Sequence, residues 1–316
     1  MKKRLISFLA AGSISFAGFS QQVGNEQIYR GVLITKQKGT PVEYANIGIV
    51  EKNIGTTSYM DGRFELKIPS EFLRDSIRFS TIGYETITLV VSDFINRVND
   101  TIWMAEKTYS LREVVISPSK SAILGNLRME NSKNRMYMAL NGRKGCEVGI
   151  TLDPKKGNQA LLETLILYGV VIKDEIYDEN TKTWVASEAA EFDTIRFRVN
   201  LYRVNSKGQY ENILTKPIYI NYKAFKYEER WDERYISSHP VEFDLSEHLL
   251  VIDSKTLITL EFYTDVPNKV WFQGLLRGPA SYHRYTSQGK FFKYSMGLSA
   301  GLSVKTRIMK RSYKNS

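Results

Sequence analysis

Short segments in which apolar and polar residues alternate recur about every ten residues along most of this 316-residue chain. A period of two places every second side chain on the same face of an extended strand. Residues that favour turns, mainly Gly, Asp, Asn and Pro, separate these segments, and no long stretch shows the period of a helix. The pattern predicts an all-β protein of antiparallel strands and disfavours a parallel sheet with crossover helices.

The clearest of these segments contains Phe64, Leu66 and Ile68, which alternate with charged residues. The apolar side chains are predicted to face a core and the charged ones to face water. Asp61 and Gly62 come just before the segment. Asp61 can accept a hydrogen bond from the backbone ahead of it, and Gly62 tolerates the positive φ of a tight turn. The hairpin indicates architecture and contains no catalytic chemistry.

The segments between residues 27 and 104 follow one another in an order that resembles the carboxypeptidase-regulatory-like domain. This domain is a transthyretin-type, Ig-like β-sandwich of exported Bacteroidota proteins and of N-terminal extensions of TonB-dependent transporters. The resemblance implies a seven-stranded sandwich over residues 21–116 and no activity of its own. Tyr59 departs from the family pattern, in which many members have Asp. The matching positions are Gly31, Gly55, Asp61, Gly62, Phe64, Ile82, Gly83 and Tyr84.

Residues 1–20 predict a secretory signal peptide, because basic residues precede a short apolar run that ends in small residues. We therefore expect an exported protein, located in the periplasm or associated with the outer membrane. Cys146 is the only cysteine of the sequence, so no disulfide can form within the chain. Stability is expected to come from packing.

The chain after the N-terminal domain is interpreted as a linker and a second domain. Residues 117–145 are polar and basic, which indicates a linker with a short helix near 131–140. Residues 146–316 return to alternating strands and predict a jelly-roll-like sandwich of about eight to ten strands with a basic C-terminal segment.

One C-terminal segment, residues 193–204, shows the alternation most clearly. Its apolar residues are predicted to share the core face. Its polar residues are predicted to lie on the opposite face. The apolar residues are Ile195, Phe197, Val199 and Leu201, and the polar ones are Arg196, Arg198 and Asn200.

The formal net charge of +10 is concentrated in the C-terminal part. Residues 21–118 contain 11 Lys and Arg against 12 Asp and Glu, whereas no acidic residue follows Asp265. We interpret the basic segment as a solvated strand face and tail, with an anionic envelope surface as the alternative partner. Nucleic acid is not an expected partner of an exported protein.

The three histidines, His239, His248 and His283, restrict metal and acid–base chemistry. His239 and Glu242 have the spacing of the zinc-binding His-x-x-Glu pair of metallocarboxypeptidases. However, Val241 is predicted to point inward, so Glu242 points the other way and does not converge with His239 on one ion. We predict no metal and no cofactor, and keep a zinc-dependent hydrolase as the least favoured alternative.

Aromatic residues at a spacing of four, Tyr227, Trp231 and Tyr235, are interleaved with charged residues. Exposed rings with charged neighbours are typical of sugar-binding surfaces, and Trp184 is a second possible sugar contact. A short amphipathic helix with Trp231 buried is the competing interpretation. The sequence therefore predicts a non-enzymatic, exported cell-envelope binding or scaffolding protein with a protein or glycan partner. A carbohydrate-binding module is the alternative.

Overall fold

The computed structural model describes residues 26–97, 100–107, 120–126, 135–178, 180–186, 194–205, 208–223, 225–226 and 240–310. Within these residues the protein is nearly all β, with 60% strand and one α-helix, which confirms the predicted fold class. In this part of the chain, almost all strand pairs are antiparallel, two are parallel, and the sheets form sandwich-like arrangements.

The N-terminal domain consists of two sheets around an apolar core. Its described part contains β1 (Glu26–Thr35), β2 (Asn46–Ile49), β3 (Gly55–Thr57), β4 (Arg63–Pro69), β5 (Ser76–Ser80), β6 (Ile87–Val90) and β7 (Thr101–Met104). A turn of 3-10 helix, Ser70–Phe72, precedes β5, and helix α1 (Val91–Ile95) follows β6. The strand orders are β4–β1–β7 and β3–β2–β5–β6. These seven strands agree in number with the resemblance.

Strand β4 shows how the sequence determines this domain. Its apolar side chains are buried and its charged side chains are exposed, which confirms the predicted faces. The ring centroid of Phe64 lies 5.8 Å from that of Phe79 in an edge-to-face contact. Each buried apolar side chain of this size contributes about 1.5–3 kcal/mol. At the preceding turn, Gly62 has a φ of +75°, and Asp61 accepts a hydrogen bond from the Arg63 amide at 3.0 Å.

The described C-terminal part contains 18 strand segments in sheets of seven, five and six strands. They are β8 (Lys120–Gly125), β9 (Arg135–Gly142), β10 (Glu147–Leu152), β11 (Asn158–Leu167), β12 (Val170–Asp178), β13 (Thr183–Ala186), β14 (Thr194–Val204), β15 (Tyr210–Asn212), β16 (Ile218–Lys223), β17 (Phe225–Lys226), β18 (Val241–Asp244), β19 (Val251–Ile252), β20 (Thr256–Phe262), β21 (Val266–Leu276), β22 (Ser281–Arg284), β23 (Phe292–Lys293), β24 (Leu298–Ala300) and β25 (Leu302–Lys310). Turns of 3-10 helix occur at Ser246–His248 and Ser295–Gly297. The estimate of eight to ten strands was too low, because long strands pair with several short ones.

The three C-terminal sheets share one core. The seven-stranded sheet has the order β15–β14–β20–β10–β22–β23, with β16 also paired to β14. The other two sheets are built on β18–β11–β25–β8 and on β13–β12–β21–β24. One apolar cluster takes Phe197 from β14, Leu165 from β11 and Phe272 from β21. The rings of Phe197 and Phe272 lie 5.9 Å apart, so the sheets pack directly on one another.

Two strands of these sheets come from the segment interpreted as a linker. Strand β8 pairs with β25, and β9 pairs with β21. The helix predicted near 131–140 is therefore wrong from residue 135 onward. Met138 and Leu140 are buried while Ala139 between them is exposed. This alternation indicates a strand, even though the surrounding composition is polar. Residues 117–119 and 127–134 lie outside the described part, and the domain boundaries stay a prediction.

Candidate functional site

The polar face of β14 is buried over its middle, from Arg198 to Tyr202. Arg196 is exposed, but Arg198 and Asn200 are each 1% exposed, and Tyr202 is 6% exposed. The N-terminal domain lies against this face, since Arg198 Nη1 donates a hydrogen bond to the Tyr44 carbonyl at 2.6 Å. A guanidinium removed from water must find its counter-charge within the protein.

Four charged side chains form a row across the seven-stranded sheet. The register pairs Arg198 with Glu261, Glu261 with Glu147, and Glu147 with Arg284. The order is therefore Arg, Glu, Glu, Arg, which is neutral in sum and has its two carboxylates adjacent. Both glutamates are fully buried, and Arg284 is 7% exposed. We call these four residues the charged row.

Hydrogen bonds and an ion pair hold the charged row together. Arg198 donates to Glu261 Oε2 from Nε at 3.1 Å and from Nη2 at 2.8 Å. Arg284 Nε lies 2.5 Å from Glu147 Oε2. Asn200 Nδ2 donates to Glu147 Oε1 at 2.9 Å and to Glu261 Oε2 at 2.8 Å, so one amide bridges both carboxylates. The row behaves as one connected network.

The two carboxylates have pKa values shifted in opposite directions. Burial raises the pKa of Glu147, and the attraction of Arg284 offsets this only in part. Burial would also raise the pKa of Glu261, but Arg198 and Arg284 outweigh it, so this pKa is lowered. Such a separation is typical of acid–base pairs in enzymes. Neither carboxylate lines the cleft described below, so the geometry gives them the structural role of holding two arginines in place.

The contact of Arg198 with the N-terminal domain fixes an unusual backbone conformation. Tyr44 has a φ of +52°, a left-handed conformation that costs about 1–3 kcal/mol in a residue other than glycine. Its ring lies 5.9 Å from the ring of Tyr219 and 4.8 Å from that of Tyr263, both in the C-terminal part. The hydrogen bond and the ring contacts together hold this strained residue at the domain junction.

The loop after β22 inserts into the N-terminal domain. Ser287 is fully buried, and its hydroxyl donates to Asn46 Oδ1 at 2.8 Å. Gln288 Nε2 donates to the Ser80 hydroxyl at 2.7 Å, and the backbone carbonyl of Gln288 accepts from the backbone amide of Glu51 at 2.9 Å. These bonds fix the loop to strands β2 and β5.

Two glycines of the N-terminal domain make room for this loop. A Cβ atom at Gly48 would lie 2.5 Å from the Ser287 carbonyl oxygen, and one at Gly55 would overlap the same oxygen. The Ile-Gly-Tyr corner also lies at the junction. Ile82 packs within the C-terminal apolar cluster, and Tyr84 lines the cleft. Three positions that match the family pattern, Gly55, Ile82 and Tyr84, thus lie where the two domains meet.

A polar cleft of about 320 Å³ opens between the two domains. Its N-terminal wall includes Arg78, Ser80, Tyr84 and Thr88. The opposite wall contains the two arginines of the charged row and two neighbouring polar residues of β14. These four are Arg198, Asn200, Tyr202 and Arg284. The same wall also contains amide side chains from the β14–β15 region. This cleft is the candidate functional site.

Arg78 differs from the other two arginines of the cleft because it has no carboxylate partner among the described residues. Its Nε is buried and has no hydrogen-bond partner within the described residues, and none of the ion pairs found there includes it. Arg198 and Arg284, by contrast, each contact a glutamate of the charged row. The cleft therefore contains a guanidinium whose hydrogen-bonding capacity is open to a ligand.

The comparisons with known proteins identify the N-terminal half of this site. Residues 29–116 match the CarboxypepD_reg-like domain. This agrees with the resemblance derived from the sequence, and the C-terminal part is unassigned. The CarboxypepD_reg-like domain is a regulatory, Ig-like and non-catalytic fold, and no enzyme family is indicated for the chain.

No curated protein matches the chain. Among solved structures, that of the infectious bursal disease virus Gt strain is similar at 7% identity over 90% of this chain, with a TM-score of 0.22. This chain spans 64% of the length of that viral chain. The VP2 subviral particle of the same virus is similar at 8% identity over 92% of this chain and 67% of the viral chain, also with a TM-score of 0.22. Scores this low support no argument about fold or function.

Three of the four aromatic residues predicted to contact sugars cannot be compared with this cleft. Tyr227, Trp231 and Tyr235 lie outside the described residues. Trp184 lies in β13, opposite Tyr177 of β12. The sugar-binding interpretation of these residues stays a prediction.

Glu242 has no role in a metal site within the described residues. This residue is exposed on β18 and forms an ion pair with Lys305 at 2.7 Å, and His239 lies outside the described residues. His248 is in a 3-10 turn, and His283 is buried on β22. No group of three or more potential metal-ligating side chains occurs in the described part of the chain. Across the same residues, no helix has the length and apolar character needed to cross a membrane.

Proposed function

We propose that the protein is a non-enzymatic, exported binding or scaffolding protein of the cell envelope, and that its binding site is the cleft between the two domains. The observation that supports this most is the shared construction of the cleft. The CarboxypepD_reg-like domain forms one wall, the polar face of β14 forms the other, and hydrogen bonds from Arg198, Ser287 and Gln288 fix both. A ligand between these walls binds a preorganised site.

A glycan is the favoured ligand class for this cleft. Small polar ligands bind in concave sites, and the walls offer tyrosine rings together with amide and hydroxyl groups. Tyr84 and Tyr210 supply the rings, and Gln209 and Asn212 supply the amides. A flat protein partner would use little of this surface. The basic C-terminal segment would add attraction to an anionic envelope surface.

The test is a thermal-shift screen of the full chain against envelope glycans and divalent metals, with a chelator control. A ligand that binds the folded state raises the unfolding midpoint. Thr88→Trp, on the cleft wall, should abolish the shift, whereas Lys67→Trp, on the exposed face of β4, should retain it. A proposal of glycan binding fails if no glycan shifts the midpoint. A zinc shift that the chelator reverses would favour the hydrolase instead.

The predicted location is tested separately. Cell fractionation should recover the protein, without residues 1–20, from the periplasm or the outer-membrane fraction. Recovery of the uncleaved chain from the cytoplasm would contradict export and, with it, any role at the envelope.

A further inference from the structure

We infer that the cleft binds a sugar that carries an anionic group, and that Arg78 holds this group. The inference rests on the proposed function, because it names the ligand class of the same cleft. It starts from the position of Arg78 on β5, where its register partners are Gly48 of β2 and Thr88 of β6. Two neighbouring strands thus hold the Arg78 backbone on the N-terminal wall.

The guanidinium of Arg78 has hydrogen-bonding capacity that the described residues leave unused. Its Nε is enclosed by the protein, whereas neither Nη1 nor Nη2, the two nitrogens at the tip of the fork, takes part in a hydrogen bond or an ion pair among the described residues. The guanidinium fork matches the two oxygens of a carboxylate or a phosphate. An anionic group bound to Nη1 and Nη2 would supply both their acceptors and the counter-charge.

The charge of the cleft walls favours an anion. The charged row is neutral in sum, because its two arginines are matched by the two buried glutamates. Among the remaining charged residues on the walls, Arg78 takes part in none of the ion pairs of the described residues. A neutral ligand would leave the charge of Arg78 without a counter-charge within the cleft.

The rest of the lining is suited to hydroxyl groups. Gln209 is exposed at the cleft, and Tyr84 is partly buried on the opposite wall. An amide both donates and accepts hydrogen bonds, which matches neighbouring hydroxyls of a sugar ring. The volume of about 320 Å³ is small for a ligand site, so a mono- or disaccharide is the appropriate size.

The experiment is titration calorimetry of the full chain with glucose, glucuronic acid and glucose 6-phosphate. The ring is similar in all three, so the charged group is the main difference. We expect at least one charged sugar to bind about ten times more tightly than glucose, or better, because hydrogen bonds to charged groups are the stronger ones. Comparison of the two charged sugars distinguishes a carboxylate from a phosphate ligand.

Two substitutions at Arg78 and one elsewhere identify the residue responsible. Arg78→Gln removes the charge and should abolish the preference for a charged sugar. Arg78→Lys keeps the charge but loses the fork, and should retain part of the preference. Arg63→Gln, at an exposed position of β4, is the matched control and should bind like the unmodified protein. Urea unfolding of each variant confirms that it is folded.

Three results would overturn the inference. They are equal affinity for glucose and for both charged sugars, unchanged binding in Arg78→Gln, and no binding of any of the three at about 10 mM, far above the affinity of a specific site. The proposed function can survive the failure of this inference. A neutral glycan whose binding is lost in Thr88→Trp would reject the anionic group and leave a binding role for the cleft intact.

Discussion

Strands β4 and β14 have the same alternation of apolar and polar residues, yet their polar faces have opposite environments. On β4 the charged side chains face water, and the Arg30–Glu65 ion pair is exposed. On β14 the second face is covered by another domain, and Arg198 is paired with the buried Glu261. The comparison teaches that a period of two identifies the faces of a strand but leaves open whether the second face meets solvent.

The largest expected effect concerns the charged row. Glu261→Gln should reduce the free energy of unfolding by about 3–5 kcal/mol, because it leaves Arg198 buried without its counter-charge. Glu65→Gln on β4 is the matched control, and loss of its exposed ion pair should cost about 0–1 kcal/mol. Urea unfolding measures both. Equal losses would mean that the two polar faces are energetically alike.

The next effect concerns the junction that covers the polar face. Gly55→Ala should cost about 1–3 kcal/mol, since its Cβ would overlap the Ser287 carbonyl oxygen. The displaced loop should also speed hydrogen exchange of the Glu51 amide, which donates to the Gln288 carbonyl. Gly39→Ala is the comparison, because its φ is +66° but its Cβ would meet no atom within 4 Å. It should strain the backbone without changing exchange at Glu51.

A smaller effect is expected at the rim of the junction. Lys144 Nζ lies 3.7 Å from the ring centroid of Tyr59 and donates to the Thr57 carbonyl at 3.1 Å. Lys144→Met should cost about 0.5–1 kcal/mol, as expected for a cation–π contact near the surface. Lys67→Met, on the exposed face of β4, should change stability little. A larger loss at Lys67 than at Lys144 would contradict the ranking.

Strand β22 places two adjacent basic residues in different buried environments. Arg284 faces the charged row, and burial of His283 lowers its pKa below the ordinary 6.5. The unfolded chain then binds the proton more readily than the folded protein, so stability falls as pH is lowered from 6.5 toward the folded pKa. His283→Gln should flatten this part of the dependence of unfolding free energy on pH. Parallel curves for the two proteins would disprove a buried neutral His283.

Local sequence predicted the fold class, the faces of β4 and the apolar face of β14, because these depend on neighbouring residues along one strand. The charged row was not predicted. Its members lie on four strands that are not consecutive in the chain. Their pairing depends on the order of the strands in the sheet, which could not be deduced from this sequence. Polar positions occupied by Glu147 and Glu261 in predicted strands were the available signal. Arg78 was missed for the same reason, since its wall faces another domain.

The charged row also affects which strand registers can form during folding. A shift of two residues between β10 and β20 would keep Val148 and Leu260 on the core side, so the apolar core alone discriminates poorly against it. The shift would, however, move Glu147 opposite Thr259 and away from Glu261, so Asn200 could no longer donate to both carboxylates. Refolding of a variant with all four row residues made apolar should therefore yield more misassembled protein than refolding of the unmodified chain. The hydrogen bonds that bridge the two carboxylates therefore favour one register among those that the apolar core accepts.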